Sequence, residues 1–263
     1  MLSKNDPEKK TTKSSKKASP KSTTAAAETS SLDVREQLFN EGLIGPVRAV
    51  QVSAARITQV RGLMFDVDPG LLKPDGAMGE IPATPVNFYE RVIRPILDRS
   101  PVLAKAEVRS SGTGLHVILG FDAPYQCDSD AAREDIARVA DVVLCLLPSD
   151  PMQPGITAVT RPIGSLNSKN GATVELITPG EPVTYTEVRD LAVRFVASPF
   201  RMLCEVLFGG ERIRPCPVCR EAETTLVVQE HYGNCYGCGK VTLPQIWNSL
   251  YRVSKEVNDG QEE

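Results

Sequence analysis

Aromatic residues are scarce in this chain: seven Phe, six Tyr and one Trp make up 5% of its 263 residues. A broad platform for stacking single-stranded bases is not expected from so few rings. No run of about 18 apolar residues occurs, so no membrane span is expected. The lysines near the N-terminus are not followed by an apolar stretch, so no secretory signal is expected either. No internal repeat is present. The seven cysteines are odd in number, and four fall in C-x-x-C pairs. That usage argues against a disulfide framework and for a reduced, intracellular (cytoplasmic) protein.

The chain is long enough for one or two domains, and 41% hydrophobic residues allow a sizeable core. Its net charge of −3 is unevenly placed. Residues 1–31 hold seven lysines against three acids, a net +4, so the rest of the chain stands at −7. An acidic body excludes a large non-specific DNA-binding surface but not a local basic groove. The Lys/Ser/Thr-rich stretch 1–31 has almost no apolar mass and reads as a disordered tail.

Order is expected from Leu32, with a short helix over Val34–Asn40 stopped at Gly42. Ile57–Asp68 reads as an apolar strand ending in two aspartates, broken by Pro69-Gly70. Asn87–Leu97 has helical spacing, with Pro95 a kink or break. Lys105–Arg109 and Leu115–Phe121 form a predicted hairpin. Asp128–Leu147 is the best helix, with Ile136, Val139, Val143 and Leu146 on one face. A Pro/Gly-rich loop covers 148–171, and Ala172–Ile177 is a strand. Thr184 and Glu187 make a capping box for a helix to Ala197. Within the cysteine segment, Thr224–Gln229 suits a strand, and a final helix covers Pro244–Val253. The order β-α-β-β-α-β fits an α+β fold of the split βαβ kind.

Cys216-Pro-Val-Cys219 and Cys235-Tyr-Gly-Cys238 give C-x2-C-x15-C-x2-C. Two tight turns each offer two thiolates, and four soft ligands close a tetrahedral zinc site. Such a site has no open position, so its zinc is structural and contributes folding free energy. Redox chemistry at one C-x-x-C would need a helix start in a βαβ context, which is missing. Cys127, Cys145 and Cys204 read as ordinary small apolar residues.

Asp66 and Asp68 alternate onto one face of their strand. Alone they are two solvated acids; with a hard divalent cation between them they are a metal site. Downstream, Ser110-Ser111-Gly112-Thr113-Gly114 turns between two strands. Its glycines let backbone approach a phosphate, and the hydroxyls of Ser111 and Thr113 can donate to one. His116 follows at once. Alone it reads as structural; beside this turn and an Asp-x-Asp strand it can hold a triphosphate.

These segments, in this order, resemble the archaeo-eukaryotic primase (primase-polymerase) superfamily. FDVD supplies Asp66 and Asp68, SSGTGLH supplies His116, and Asp150 precedes Arg161-Pro-Ile-Gly-Ser-Leu-Asn-Ser-Lys169. The resemblance covers residues 57–177, and CPVC…NCYGCGKVTL resembles primase zinc ribbons over 216–240. It lacks the Gly-Asp that often follows in the bacterial type. The resemblance implies an RRM-like palm with a C-terminal zinc ribbon: a tail 1–31, a catalytic domain 32–200, and a ribbon with its helix over 210–258. It also implies that Asp66, Asp68 and Asp150 hold catalytic Mg or Mn, with His116 on the incoming nucleotide. Arg161 and Lys169 would neutralise the triphosphate, with Ser165 and Asn167 positioning it. Asp122, Asp141 and Glu175 are less favoured as the third acid.

The function so implied is a DNA primase or primase-polymerase, extending RNA or DNA strands on a single-stranded DNA template from NTPs or dNTPs. The sequence carries no G-x-x-x-x-G-K-[ST] run, so unwinding is expected from a separate helicase. Two other readings stand beside it. One is a degenerate palm acting as a replication initiator or primase accessory subunit through its ribbon. The other is a nuclease using the same metals.

Overall fold

The computed structural model describes residues 54–150, 153, 155–167 and 170–252. The predicted tail, the predicted helix Val34–Asn40 and Lys169 lie outside them. The described residues all belong to one compact unit. It is an α+β structure with two antiparallel four-stranded sheets. No helix among the described residues is long and apolar enough to cross a membrane.

Strand β1 (Gln59–Val67) alternates as its sequence does. Leu63, Phe65 and Val67 are buried, while Met64 and Asp66 stand half-buried on the other face. Each of the three buried chains contributes about 1.5–3 kcal/mol by leaving water. Gly62 marks a register irregularity against β3, where an added Cβ would stand 2.5 Å from the Leu119 carbonyl oxygen. The strand closes at Asp68, whose carboxylate accepts from the Gly70 amide at 2.8 Å and opens a short 3-10 turn over Pro69–Leu71.

Helix α1 starts at Pro85–Phe88 under a Thr84 cap, widens into a π turn over Tyr89–Ile93 and finishes as Arg94–Leu97. Pro95 therefore neither ends the helix nor stands as a simple kink. Proline cannot donate and its ring crowds the preceding turn; the wide turn just before it absorbs the mismatch. Strands β2 (Glu107–Ser110) and β3 (Leu115–Gln126) form the hairpin. Helix α2 (Asp130–Leu144) is capped by Ser129 and buries Ile136, Val139 and Val143. Strand β4 (Leu176–Thr178) is shorter than the predicted Ala172–Ile177, because Thr173 pairs instead with Leu166.

The strand order is β1-β3-β2-β4. The first three strands interleave as a split βαβ unit does, with β3 inserted between β1 and β2. The fourth lies outboard of β2. The outer edge of β1 is thus left to a loop, and that placement shapes the site below.

Helix α3 (Tyr185–Ala197) carries the predicted Thr184–Glu187 capping box. Helix α4 (Pro199–Phe208) was not expected from the sequence; proline occupies its first turn, and Gly209 at φ +84° ends it. Helix α2 packs on α3, and α3 on α4. The second sheet runs β5 (Arg212–Ile213), β6 (Leu226–Val228), β7 (Gly233–Cys235) and β8 (Gly239–Val241) in sequence order. Helix α5 follows over Leu243–Leu250. Gly233 sits where a Cβ would meet Leu226 and the Phe200 ring, so the small sheet lies tightly on α4. Ile213, Leu226, Val241 and Ile246 belong to the same buried cluster as Phe65 and Val117.

After α5 the chain returns to the first sheet's neighbourhood. Tyr251 bridges Leu72, and its hydroxyl donates to the Ser149 carbonyl at 2.9 Å. The Arg252 amide donates to Leu71 O at 2.9 Å.

Candidate functional site

Strand register sets one row of side chains across the first sheet. Asp66 faces His116 on β3, and His116 faces Arg109 on β2. Residues directly opposite in a sheet project to the same side. The Asp66 amide and carbonyl are both used at the outer edge of β1, so Asp66 and His116 form a non-hydrogen-bonded pair, the arrangement that brings side chains closest. At that edge the Asp150 amide donates to the Asp66 carbonyl at 2.7 Å. The Gln153 side chain clamps the same edge: its Oε1 accepts from the Asp66 amide, and its Nε2 donates to Met64 O. Asp150 thereby meets Asp66 across a long stretch of chain. Of the other acids weighed for that role, the Asp122 carboxylate accepts from the Ala123 amide, Asp141 is exposed on α2, and Glu175 is exposed beside Ser110.

His116 is 4% exposed. Its Nδ1 lies 2.8 Å from the Thr160 hydroxyl, so Nε2 is the nitrogen that remains for a ligand. Burial, with the charges of Arg161 and Arg109 beside it, holds its pKa down at about 4. The ring is therefore neutral near pH 7. Arg109 Nη1 donates to the Arg161 carbonyl at 3.1 Å, and its Nε is in close ion contact with Glu107. Two cations thus flank the imidazole.

The Ser/Gly turn is seated against the end of β1. Ser111 and Gly114 close it with a 2.8 Å amide-to-carbonyl bond. A Cβ on Gly114 would stand 2.7 Å from Val67 O and 3.4 Å from the Asp68 Cα. Gly112 has φ +117°, and a Cβ there would meet the Asn167 and Asn170 amides. Asn167 is buried and donates to Ser111 O. The turn, Asp68 and the paired segments 165–167 and 172–174 therefore pack as one piece. Thr113 is exposed and lines a cavity with Gly70 and Arg252.

The segments that carry Asp66, His116, Asp150 and Arg161 are neighbours, Asp150 through its backbone amide and Arg161 through its carbonyl, and Asp68 lies beside the turn. The three carboxylates are not gathered as metal ligands: among the described residues, only the four cysteines bring three or more ligand atoms within 4.8 Å of one another. Asp68 is engaged with Gly70. The Ser165 hydroxyl donates to Pro162 O at 2.6 Å and so closes its own turn. Asn167 ties the loop to the turn. Sequence reading missed Arg109, Thr160 and Gln153. Arg109 had a usable signal, since hairpin pairing places it opposite His116; Thr160 and Gln153 had none.

The ribbon is complete in its ligands. The sulfurs of Cys216, Cys219, Cys235 and Cys238 all lie within 4.8 Å of one another. Cys216–Cys238 is 3.9 Å and Cys219–Cys235 is 3.7 Å. A tetrahedron with zinc–sulfur bonds of about 2.3 Å has edges of roughly 3.8 Å. These cysteines could hold a metal such as zinc. Burial opposes charge on Cys235, yet the Cys238 and Gly237 amides aimed at its sulfur bring it down to about 6. Tyr236, between the last two ligands, is 82% exposed.

No protein-family model, curated protein or solved structure matches this chain.

Proposed function

We propose that this chain is a template-directed nucleotidyltransferase, a DNA primase or primase-polymerase, with a structural zinc ribbon. The observation that carries the reading is the row Asp66–His116–Arg109 with Asp150 bonded to the Asp66 backbone. An acid, an imidazole and an arginine from three strands share one sheet face, with the Asp150 backbone at its edge, and transfer of a nucleotide from a triphosphate calls on acids and cations of this kind. Asp66 and Asp150, with Asp68 once released from Gly70, would hold Mg or Mn, which supplies charge neutralisation at the triphosphate and activates the attacking 3′-hydroxyl.

The chain's own groups have distinct tasks in this reading. Neutral His116 offers Nε2 to a phosphate oxygen, while Thr160 holds the ring. Arg161 and Arg109 offset the charge that gathers on the triphosphate. The backbone of Ser111–Gly114 borders the same space. Tyr236 gives the ribbon one exposed ring on which a base of a single-stranded DNA template can stack. NTPs or dNTPs are the substrates, a separate helicase opens the duplex, and a reducing compartment keeps the thiols available for zinc.

The bond from Asp68 to Gly70 and the ungathered carboxylates favour a second reading, a non-catalytic replication initiator or accessory subunit. Extension of a primed template with Mg or Mn separates the two. The polymerising reading expects Asp66→Ala to lower extension by about 10³-fold or more, with the melting temperature little changed. Extension unaffected by that change, or none by the unaltered chain, overturns it. Strand cleavage without added nucleotides would instead identify a nuclease.

A further inference from the structure

We infer that the arginine-walled cavity between helix α1, the end of α4 and the first cysteine knuckle binds a nucleoside phosphate, with its phosphate on the arginines. The cavity holds about 420 Å³. Arg91, Arg99, Arg214 and Arg220 line it, and no Asp or Glu does. A chain with 33 acids and 30 basic residues does not produce that segregation by composition. Four guanidiniums around one space repel each other unless an anion joins them.

Each arginine is positioned differently. Arg99 Nη1 donates to the carbonyls of Val206 and Leu207, 3.0 and 2.6 Å away at the end of α4. Gly209 makes room for it, since a Cβ there would stand 2.8 Å from Arg99 Nε. Arg214 Nε donates to Ala222 O at 3.2 Å, and its Nη2 contacts Glu223. Arg91 reaches Glu80 only at 3.9 Å, with both chains mostly exposed, so that pair restrains it little. Arg220 has no ion pair among the described residues. Its backbone is fixed at φ +60° just past Cys219, with its amide donating to Cys216 O at 2.9 Å. The floor of the cavity is apolar, with Ile96 and Phe208 among its residues. An inorganic anion would use the arginines and leave the floor idle, whereas a nucleoside phosphate uses both. The ligand is a free nucleotide or the phosphorylated end of a strand. None of Asp66, Asp68, His116 or Asp150 takes part, so the inference does not rest on the polymerising reading.

Titration calorimetry tests it on the full zinc-loaded chain carrying Asp66→Ala, without added Mg or Mn, so that metal-dependent binding at the carboxylates is removed. ATP and inorganic tripolyphosphate are expected to bind, with adenosine at least about tenfold weaker. The double change R91Q/R220Q should weaken ATP about tenfold or more at unchanged zinc content. Oligonucleotides with a 5′-phosphate or a 5′-hydroxyl distinguish the sources: a preference for the phosphorylated strand identifies a strand end, and ATP binding without it identifies a free nucleotide. The inference is overturned by equal ATP affinity in the double variant, by adenosine matching ATP, or by a 5′-hydroxyl strand binding as tightly as the phosphorylated ligands. Should the double variant lose zinc, the salt dependence of ATP binding to the parent chain decides. Affinity falling with added KCl supports the inference, and a flat response overturns it.

Discussion

In the ribbon, every metal-type ligand lies between Cys216 and Cys238, and two knuckles bring the four sulfurs within 4.8 Å. In the first sheet, the row draws on β1, β2, β3 and the loop at Asp150, and register alone brings these segments together. The ribbon's strands are two or three residues long, so its geometry depends on what the thiolates hold. The row sits on a sheet whose other face buries Phe65, Val67, Leu115 and Val117. One site is four thiolates that could close on a metal such as zinc. The other is made by its scaffold.

Zinc removal gives the largest expected effect and is the most direct way to break that contrast. Structural zinc contributes on the order of 10–16 kcal/mol of apparent binding energy in small zinc domains. Chelation, or Cys216→Ser, should expose the amides of β6 and β7 to hydrogen exchange while β1 and β3 stay protected. Loss of protection in both sheets together would show that the two regions are one cooperative unit.

The scaffold's own weakness is its buried imidazole. His116 has a folded pKa of about 4 against an ordinary 6.5. The unfolded chain therefore takes up a proton first as pH falls. Stability from this residue is complete above about pH 6.5, declines between 6.5 and 4, and levels off below, a total of roughly 3 kcal/mol. Thermal melts across that range should show the decline, and His116→Gln should flatten it. A decline of equal size in the variant would assign it to other groups.

The smallest effect concerns Gln153, which clamps the open edge of β1. Gln153→Ala should cost about 1–2 kcal/mol, since two hydrogen bonds are lost. It should also speed hydrogen exchange at the Asp66 and Asp150 amides without altering zinc content. Unchanged exchange at both would mean that the loop is held by something else.

The same contrast explains what could be read in advance. The cysteine spacing carries its geometry within itself, as does the Thr184–Glu187 cap, and each was legible from neighbours in the chain. The half-buried face that carries Asp66 followed from strand alternation, whereas Asp68 lies past the end of the strand with its carboxylate on Gly70. The meeting of Asp66 with His116 needed a pairing register, which a period-two pattern leaves open. Gln153 and Thr160 stand in the Pro/Gly-rich loop 148–171, where no periodicity exists to place them. Helix α4 follows the predicted end of α3 at Ala197 after a single residue, with Pro199 in its first turn, and no element was assigned there from the sequence. The continuation of α1 past Pro95 needed a π turn that residue pattern does not announce.

Tyr251 carries a practical consequence. By fastening the last described residues to Ser149, it makes the segment beyond the ribbon a tether for the loop that presents Asp150. Truncating the chain ahead of Cys216 would cut that tether as well as discard the four thiolates. Inactivity of such a fragment would then report a slackened acid loop as much as a lost zinc element, and point changes at the thiolates or arginines are what separate the two.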